Sequence, residues 1–225
     1  MDVHAPHERI HGWKDFAVHL LTITVGLLIA VGIEGLVELH REHKLVREAR
    51  ETLRAEIKTD TNTMKDALDS IGKERRTMAN DIAMMKRIQA NPNDKSAQAG
   101  AFDVTFQLKG FSDTAWKTAQ ATNALSYMPY DEAEKYSNVY GLQAAYEARQ
   151  DVLLTDEAKV LGLLTSFGQK DITEAQAGQL LQVLGEWQSH LVFLELAAKI
   201  GYGADAAFLE GRSAPTSEHE DMKLQ

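Results

Sequence analysis

A run of apolar residues near the N-terminus limits what this chain can fold into more than any other feature. Residues 16–37 read FAVHLLTITVGLLIAVGIEGLV, in which only His19 and Glu34 are ionisable. As an α-helix this run is about 33 Å long, which matches the roughly 30 Å hydrocarbon core of a bilayer. Trp13 and Lys14 precede it, as expected for an interfacial aromatic residue and a cation that reaches the headgroups. The run predicts a transmembrane helix.

Two other structures are compatible with such a run. A buried core helix is one, but core helices are seldom apolar on nearly every side. A cleaved signal peptide is the other, since Ala30 and Gly32 are small residues of the kind that precede a cleavage site. The sequence EGLVELHREHK continues as a helix with no break, which favours an anchor over a cleaved leader.

One side of the predicted membrane helix carries small and polar residues. At 100° per residue these positions share a single arc, and they are His19, Thr22, Gly26, Ala30 and Glu34. Small residues four apart let a second helix approach closely, and a carboxyl is costly in lipid without a partner. The arc therefore predicts a packing face for another membrane helix. Alternatively, Glu34 reaches the headgroups from the helix end and the small residues are incidental.

The charges around the run bear on its orientation. Positive residues are more numerous after it than before it, which under the positive-inside rule favours a cytoplasmic C-terminal part. That rule is weak for long domains, and a short charged tail held inside with the large domain exported is a common arrangement. We therefore expect a single-pass membrane protein with a periplasmic-type domain.

The stretch 38–90 predicts a long juxtamembrane helix, because it holds no proline and a single glycine. Residues spaced alternately by four and three form a coiled-coil-like seam along it. Its apolar members are Ile57, Met64, Leu68, Ile71, Met78, Ile82 and Met85, interrupted by Thr61 and Arg75. Such a seam serves either a homo-oligomeric coiled coil or packing against later helices of the same chain. The methionines and the polar interruptions favour packing within the chain.

The rest of the chain predicts further helices. Residues 91–111 are expected to form a loop and an extended connector, and 112–203 a helical bundle. Within the bundle we expect a bend or break near Thr155–Asp156. A flexible tail is expected at 204–225, and a short N-terminal tail at 1–15.

The signals for the last helix are clearer. Thr173 and Gln176 have the spacing of a capping box at its start, and Gly201 and Gly203 are expected to end it. The predicted fold class is therefore all-α. An N-terminal transmembrane helix continues into a long coiled-coil-like helix, which packs with three or four further helices as a bundle.

The residues that carry chemistry form no catalytic or metal-binding pattern. The absence of cysteine excludes thiolate zinc sites, iron–sulfur clusters and cysteine nucleophiles. His40 and His43 lie one helical turn apart, but two ligands do not make a site and no HExxH sequence is present. The chain has a net charge of −9 and therefore lacks the excess of positive charge that is typical of nucleic-acid binders. We expect no catalytic residues, no metal, no cofactor and no nucleic-acid partner.

Aromatic residues concentrate in the first half of the predicted bundle. Tyr136 and Tyr140 are one helical turn apart and are expected to pack with Trp116 of the preceding helix as an aromatic cluster. A small-ligand pocket lined by these rings is the alternative.

Two segments, TITVGLLIAVGIEGLVE and TAWKTAQATNALSYMPYDEAEKYSNVY, resemble a family of bacterial single-pass membrane proteins. The resemblance implies a short N-terminal tail, one membrane helix and a helical extramembrane domain, with no assigned activity. With this resemblance, we expect a single-pass protein of the bacterial inner membrane that acts as an interaction protein, an accessory or scaffold subunit of an inner-membrane assembly without catalytic activity. Its expected partners are the lipid bilayer and other membrane helices, those of a homo-oligomer included. The alternative is a ligand-sensing helical bundle acting through a membrane partner.

Overall fold

The computed structural model describes residues 12–103, 106–168 and 170–212. Within these ranges the chain is mostly helical and contains no strand. The helices are α1 (Trp13–Ala90), α2 (Lys95–Gln98), α3 (Thr114–Ala121), α4 (Tyr130–Phe167) and α5 (Glu174–Leu209), with a 3₁₀ turn at Ala124–Tyr127. The predicted all-α class is confirmed.

The chain divides into two compact units, Met1–Glu48 and Ala49–Gln225. The first unit contains the start of α1, at Trp13, and the apolar run, so the helix begins inside the predicted N-terminal tail. The most apolar 18-residue stretch of α1 has no buried residue, and the helix is long and apolar enough to cross a membrane. The remainder of the predicted tail, residues 1–11, lies outside the described residues.

The core of the second unit lies between the later part of α1, α4 and α5. Each helix contributes large side chains that are almost fully buried, among them Met64, Ile71, Tyr146, Leu153, Leu184 and Trp187. Burying such side chains contributes about 1.5 to 3 kcal/mol each, which holds the three helices together. The seam of α1 therefore packs against later helices of the same chain.

The structure corrects half of the predicted seam. Ile57, Met64, Ile71, Met78 and Met85 are buried, whereas Leu68 and Ile82 are only partly buried and Arg75 is exposed. The second row of inward-facing positions lies one residue earlier, at Asp60, Ala67, Glu74, Asp81 and Ile88. Three of these five residues are acidic, so a pattern of apolar residues alone does not include them.

The predicted break in α4 is absent, because the helix runs unbroken from Tyr130 to Phe167. The capping box of α5 is confirmed, with the Thr173 and Gln176 side chains each bonded to the other's backbone N–H. The predicted end of α5 at the glycines is wrong, since the helix continues to Leu209. Residues 204–209 therefore belong to the bundle and not to a tail, and 213–225 lie outside the described residues.

The segment 91–111 contains one short helix, α2, within the predicted loop and connector. The Asp94 side chain caps α2 by accepting hydrogen bonds from the backbone N–H groups of Ser96 and Ala97, at 3.1 Å each. Phe102, Phe106 and Phe111 then pack against the core. This part of the chain covers the bundle as a connector. Gln98 bonds the backbone of Ile172, and side chains of α4 bond the backbone of Lys109 and Phe111.

Candidate functional site

Side chains of α1 and α4 take the place of a neighbouring strand along the connector. Gln150 bonds both backbone groups of Lys109, accepting from its N–H at 2.8 Å and donating to its carbonyl oxygen at 2.7 Å. Glu147 accepts from the N–H of Phe111 at 3.0 Å, and Asp60 from that of Ser112 at 3.2 Å. An extended segment without a sheet therefore has its backbone groups satisfied by polar side chains.

Glu56 of α1 fastens the start of α3 to the bundle. Its carboxylate accepts hydrogen bonds from the Ser112 hydroxyl at 2.6 Å, the Ala115 N–H at 2.9 Å and the Tyr140 hydroxyl at 2.8 Å. Asp113, the residue before α3, makes no side-chain cap. Glu56 thus supplies from a distant helix the negative charge that stabilises a helix N-terminus.

The predicted aromatic cluster is divided between two places. Trp116 stacks on Tyr140, with ring centroids 5.1 Å apart and planes 17° from parallel. Tyr136 instead contacts Phe208 of α5, with centroids 4.9 Å apart. Burial, together with the hydrogen bond to Glu56, raises the pKa of the Tyr140 phenol. A cavity of about 420 Å³ lies beside the stacked pair and is also lined by Lys117, Gln143 and Glu147.

Asp60 and Asp205 are two acids buried in the core of the second unit. Asp60 on α1 is 2% exposed and Asp205 on α5 is 0% exposed. Asp205 accepts a long hydrogen bond of 3.4 Å from the Gln143 amide, and one oxygen of each carboxyl, Asp60 Oδ2 and Asp205 Oδ1, has no partner among the described residues. Burial raises the pKa of Asp60 to about 6 and that of Asp205 to about 7.

Glu74 and Asp81 lie further along the same row of α1. Burial, with repulsion from Asp103, raises the pKa of Glu74 to about 7 and that of Asp81 to about 6. Glu74 lines a cavity of about 240 Å³ together with Ser70, Lys73, Asp103, Phe106 and Tyr146. A cavity lined by a carboxyl and two aromatic rings is suited to a small cationic or polar ligand.

A third group of polar residues joins α4 to α5. Asp156, 1% exposed, lies 2.6 Å from Nδ1 of His190 and 3.0 Å from Nζ of Lys159. The carboxylate orients the imidazole as in an acid–base pair, but the neighbouring Ser189 hydroxyl donates to its own helix backbone, to the Gly185 oxygen. The contacts of this group join the two helices.

An apolar groove lies between α4 and α5, formed by Leu142, Ala145, Arg149, Phe193, Leu196, Ala197 and Ile200. The Phe193 side chain is 60% exposed, and Leu196 and Ile200 are exposed nearby. Arg149 donates to the Ala145 carbonyl oxygen and makes no ion pair with any residue in the described part of the chain. The groove therefore combines an apolar floor with one unpaired cation.

The predicted packing face of the membrane helix is accessible. His19, Thr22, Gly26, Ala30 and Glu34 are all exposed on α1, and a Cβ at Gly26 would have no neighbour within 4 Å. Thr22 donates its hydroxyl to the Val18 carbonyl oxygen at 2.9 Å, which satisfies that group inside the helix.

In the described ranges, no group of three or more His, Asp or Glu residues is placed to hold a metal ion. Asp60, Glu74, Asp81 and Asp205 face inward although the sequence pattern did not predict it. Asp60, Ala67, Glu74, Asp81 and Ile88 follow one another at seven-residue steps, and this spacing is the signal that could have found three of the acids.

No protein-family model, curated protein or solved structure matches this chain. The features that bear on function are therefore those of its own residues.

Proposed function

We propose that this protein is a membrane-anchored interaction protein, an accessory or scaffold subunit of a bacterial inner-membrane assembly without catalytic activity. One membrane helix holds it in the bilayer, and its helical domain, on the periplasmic side, binds a partner subunit. The observation that carries the proposal is the exposed apolar groove formed by Leu142, Ala145, Arg149, Phe193, Leu196, Ala197 and Ile200. Large exposed apolar side chains grouped in a groove are typical of protein-binding surfaces.

The residues of the groove indicate what kind of partner segment it binds. Apolar side chains spaced at three and four along α5, namely Phe193, Leu196 and Ile200, present a ridge that an amphipathic helix can pack against. The exposed guanidinium of Arg149, which lines the groove, is suited to pair with a carboxylate of the occupant. The occupant is a helix of the partner subunit with an apolar face and an acidic residue.

Co-purification from mild-detergent extracts of native membranes tests this proposal. Phe193→Asp and Leu196→Asp place charges in the groove and are expected to remove at least one partner that wild-type protein retains. Leu161→Asp, at an exposed apolar position outside the groove, is the matched control and is expected to keep that partner. Identical partner sets for all three variants would contradict the groove as the binding surface.

A topology reporter fused after Gln225 tests the orientation. A periplasmic domain predicts activity of a reporter that needs export, such as alkaline phosphatase. A cytoplasmic reporter signal would contradict the periplasmic assignment and leave the groove experiment unaffected.

The second candidate function is a ligand-sensing bundle that acts through a membrane partner. The cavity beside Glu74 favours it, since Phe106 and Tyr146 offer aromatic faces and Glu74 offers a carboxyl. A thermal-shift screen of the full chain with small amines and other metabolites tests it. A stabilising ligand whose effect is lost in Glu74→Gln would support sensing, and the absence of any stabiliser would count against it.

A further inference from the structure

Asp60 and Asp205 are buried with incomplete hydrogen bonding, which is unusual for carboxyl groups. A buried carboxylate is stable when it is paired with a cation or accepts hydrogen bonds on both oxygens. Each of these two carboxyls accepts one hydrogen bond, from the Ser112 N–H and the Gln143 amide respectively. Asp60 Oδ2 and Asp205 Oδ1 have no partner among the described residues.

The charges around the two groups are acidic. Glu56 of the same helix, Asp113 beside the connector and Glu147 of α4 all repel a negative charge on Asp60. Asp60 in turn repels a negative charge on Asp205. The Tyr140 hydroxyl also lies near Asp60, but it donates its proton to Glu56. Ionisation of both carboxyls therefore places two negative charges in a buried site where nearby acidic residues repel them.

Asp205 lies near the C-terminal end of α5, among small residues. The last turns of the helix read GYGADAAFL, in which Ala204 and Ala207 are buried. Gly201 approaches Met64 closely and Tyr202 packs against the core. The Tyr136–Phe208 ring contact and a hydrogen bond from Arg54 to the Leu209 carbonyl oxygen hold the last turn. Asp205 is the buried carboxyl in this stretch, so its protonation state contributes to whether this end stays packed.

We propose that Asp60 and Asp205 form a proton-binding pair that holds the C-terminal end of α5 against α1 when protonated and releases it when ionised. The proton resides on the unpartnered oxygens, where it removes the buried charge. This inference concerns the interior of the bundle and does not depend on the partner groove.

The direction of the pH effect follows from linkage. Both carboxyls have pKa values raised above those of an unfolded chain, so the packed state binds more protons than the released state. At a pH below the pKa of an unfolded aspartate, protonation stabilises the packed state in full. This stabilisation is lost as the pH rises through about 6 for Asp60 and about 7 for Asp205. The end of α5 loosens as the pH increases.

Hydrogen exchange followed by mass spectrometry tests the pair in the full chain, in detergent micelles between pH 5.5 and 8.5. Protection factors, which correct for the intrinsic pH dependence of exchange, are compared for peptides covering 201–209. Wild-type protection there is expected to fall by tenfold or more as the pH rises, because local opening is coupled to proton release.

Asp205→Asn keeps the size and most of the hydrogen-bonding capacity of the side chain and removes its charge. This variant is expected to retain high protection in residues 201–209 at every pH. Asp60→Asn tests the same pair from α1 and is expected to reduce the pH dependence. Glu74→Gln, at another carboxyl with a raised pKa, is the matched control and is expected to keep the wild-type pH dependence of the α5 end.

Two outcomes would overturn the proposal. One is wild-type protection in residues 201–209 that does not change with pH, which needs no variant to be folded. The other is an Asp205→Asn protein with native helicity that still shows the wild-type fall in protection.

Discussion

A Cβ atom placed on Gly201 of α5 would lie 2.8 Å from Cε of Met64 on α1. Gly201 is buried, and Met64 is 0% exposed. The glycine is therefore a point where α5 approaches α1 closely, and not a signal that ends the helix. This contact allows α5 to continue and carry Asp205 into the core.

Substitution of Gly201 by leucine is expected to lower the free energy of unfolding by about 2 to 3 kcal/mol, because the added side chain displaces Met64 from a filled core. Gly185 lies in the same helix, and a Cβ there would have no neighbour within 4 Å. Gly185→Ala is expected to raise stability by about 0.5 to 1 kcal/mol through helix propensity. Denaturant unfolding of the full chain in detergent measures both, and equal effects would refute the close-approach explanation.

Glu56→Ala is expected to destabilise the bundle by about 2 to 3 kcal/mol, because three donors lose their acceptor and the Tyr140 hydroxyl is left buried. Tyr140→Phe, which removes one of these donors, is expected to cost about 1 kcal/mol. A double-mutant cycle from unfolding data measures the coupling. Additive effects would show that the hydrogen bond between Glu56 and Tyr140 contributes nothing to stability.

Stability of the second unit is expected to increase as the pH falls from 8 to 5. Glu74, Asp60, Asp81 and Asp205 all have raised pKa values in the folded protein, with Glu74 at about 7, so the folded state binds more protons than the unfolded state in this range. Glu74→Gln is expected to add about 1 to 2 kcal/mol at pH 8, reduced from the full linkage value by solvent screening. Unfolding midpoints at pH 5 and pH 8 check this, and a variant with the wild-type slope contradicts it.

Asp156→Ala is expected to lower the free energy of unfolding by about 2 kcal/mol. The substitution removes a buried carboxylate, leaves His190 without its acceptor and leaves Lys159 with Glu186 as its remaining partner, although both cations retain contact with water. Glu186, which lies 3.7 Å from Lys159 and is about half exposed, provides the control. Glu186→Ala is expected to change stability by less than about 0.5 kcal/mol, and an equal loss for both variants would show that burial of Asp156 is unimportant.

Leucine at Gly26 and Ala30 is expected to reduce self-association or partner association of the membrane helix, because both residues belong to the predicted packing face. Val31→Leu adds bulk on a different side of the helix and serves as the control. Native electrophoresis and co-purification in mild detergent measure the effect. Unchanged association in the Gly26→Leu/Ala30→Leu protein refutes the packing face.

Most of the helices could be predicted from the sequence. The long proline-free stretch, the capping box at Thr173 and the apolar row from Ile57 to Met85 all correspond to features of the fold. Local rules succeed there because the backbone hydrogen bonds of a helix and its caps involve residues close in sequence. Expectations about Gly201 and the break near Thr155 were wrong because each treated a local signal as decisive.

The sequence by itself determined a long apolar helix near the N-terminus and an all-α domain after it, since length, apolar content and helical spacing are properties of consecutive residues. Only the tertiary structure decided that Asp60, Glu74 and Asp81 face inward and that Asp205 joins Asp60 in the core. The physical reason is that a buried carboxyl depends on donors from elsewhere in the chain. Ser112 and Gln143 reach these acids only after the connector and α4 have packed against α1 and α5.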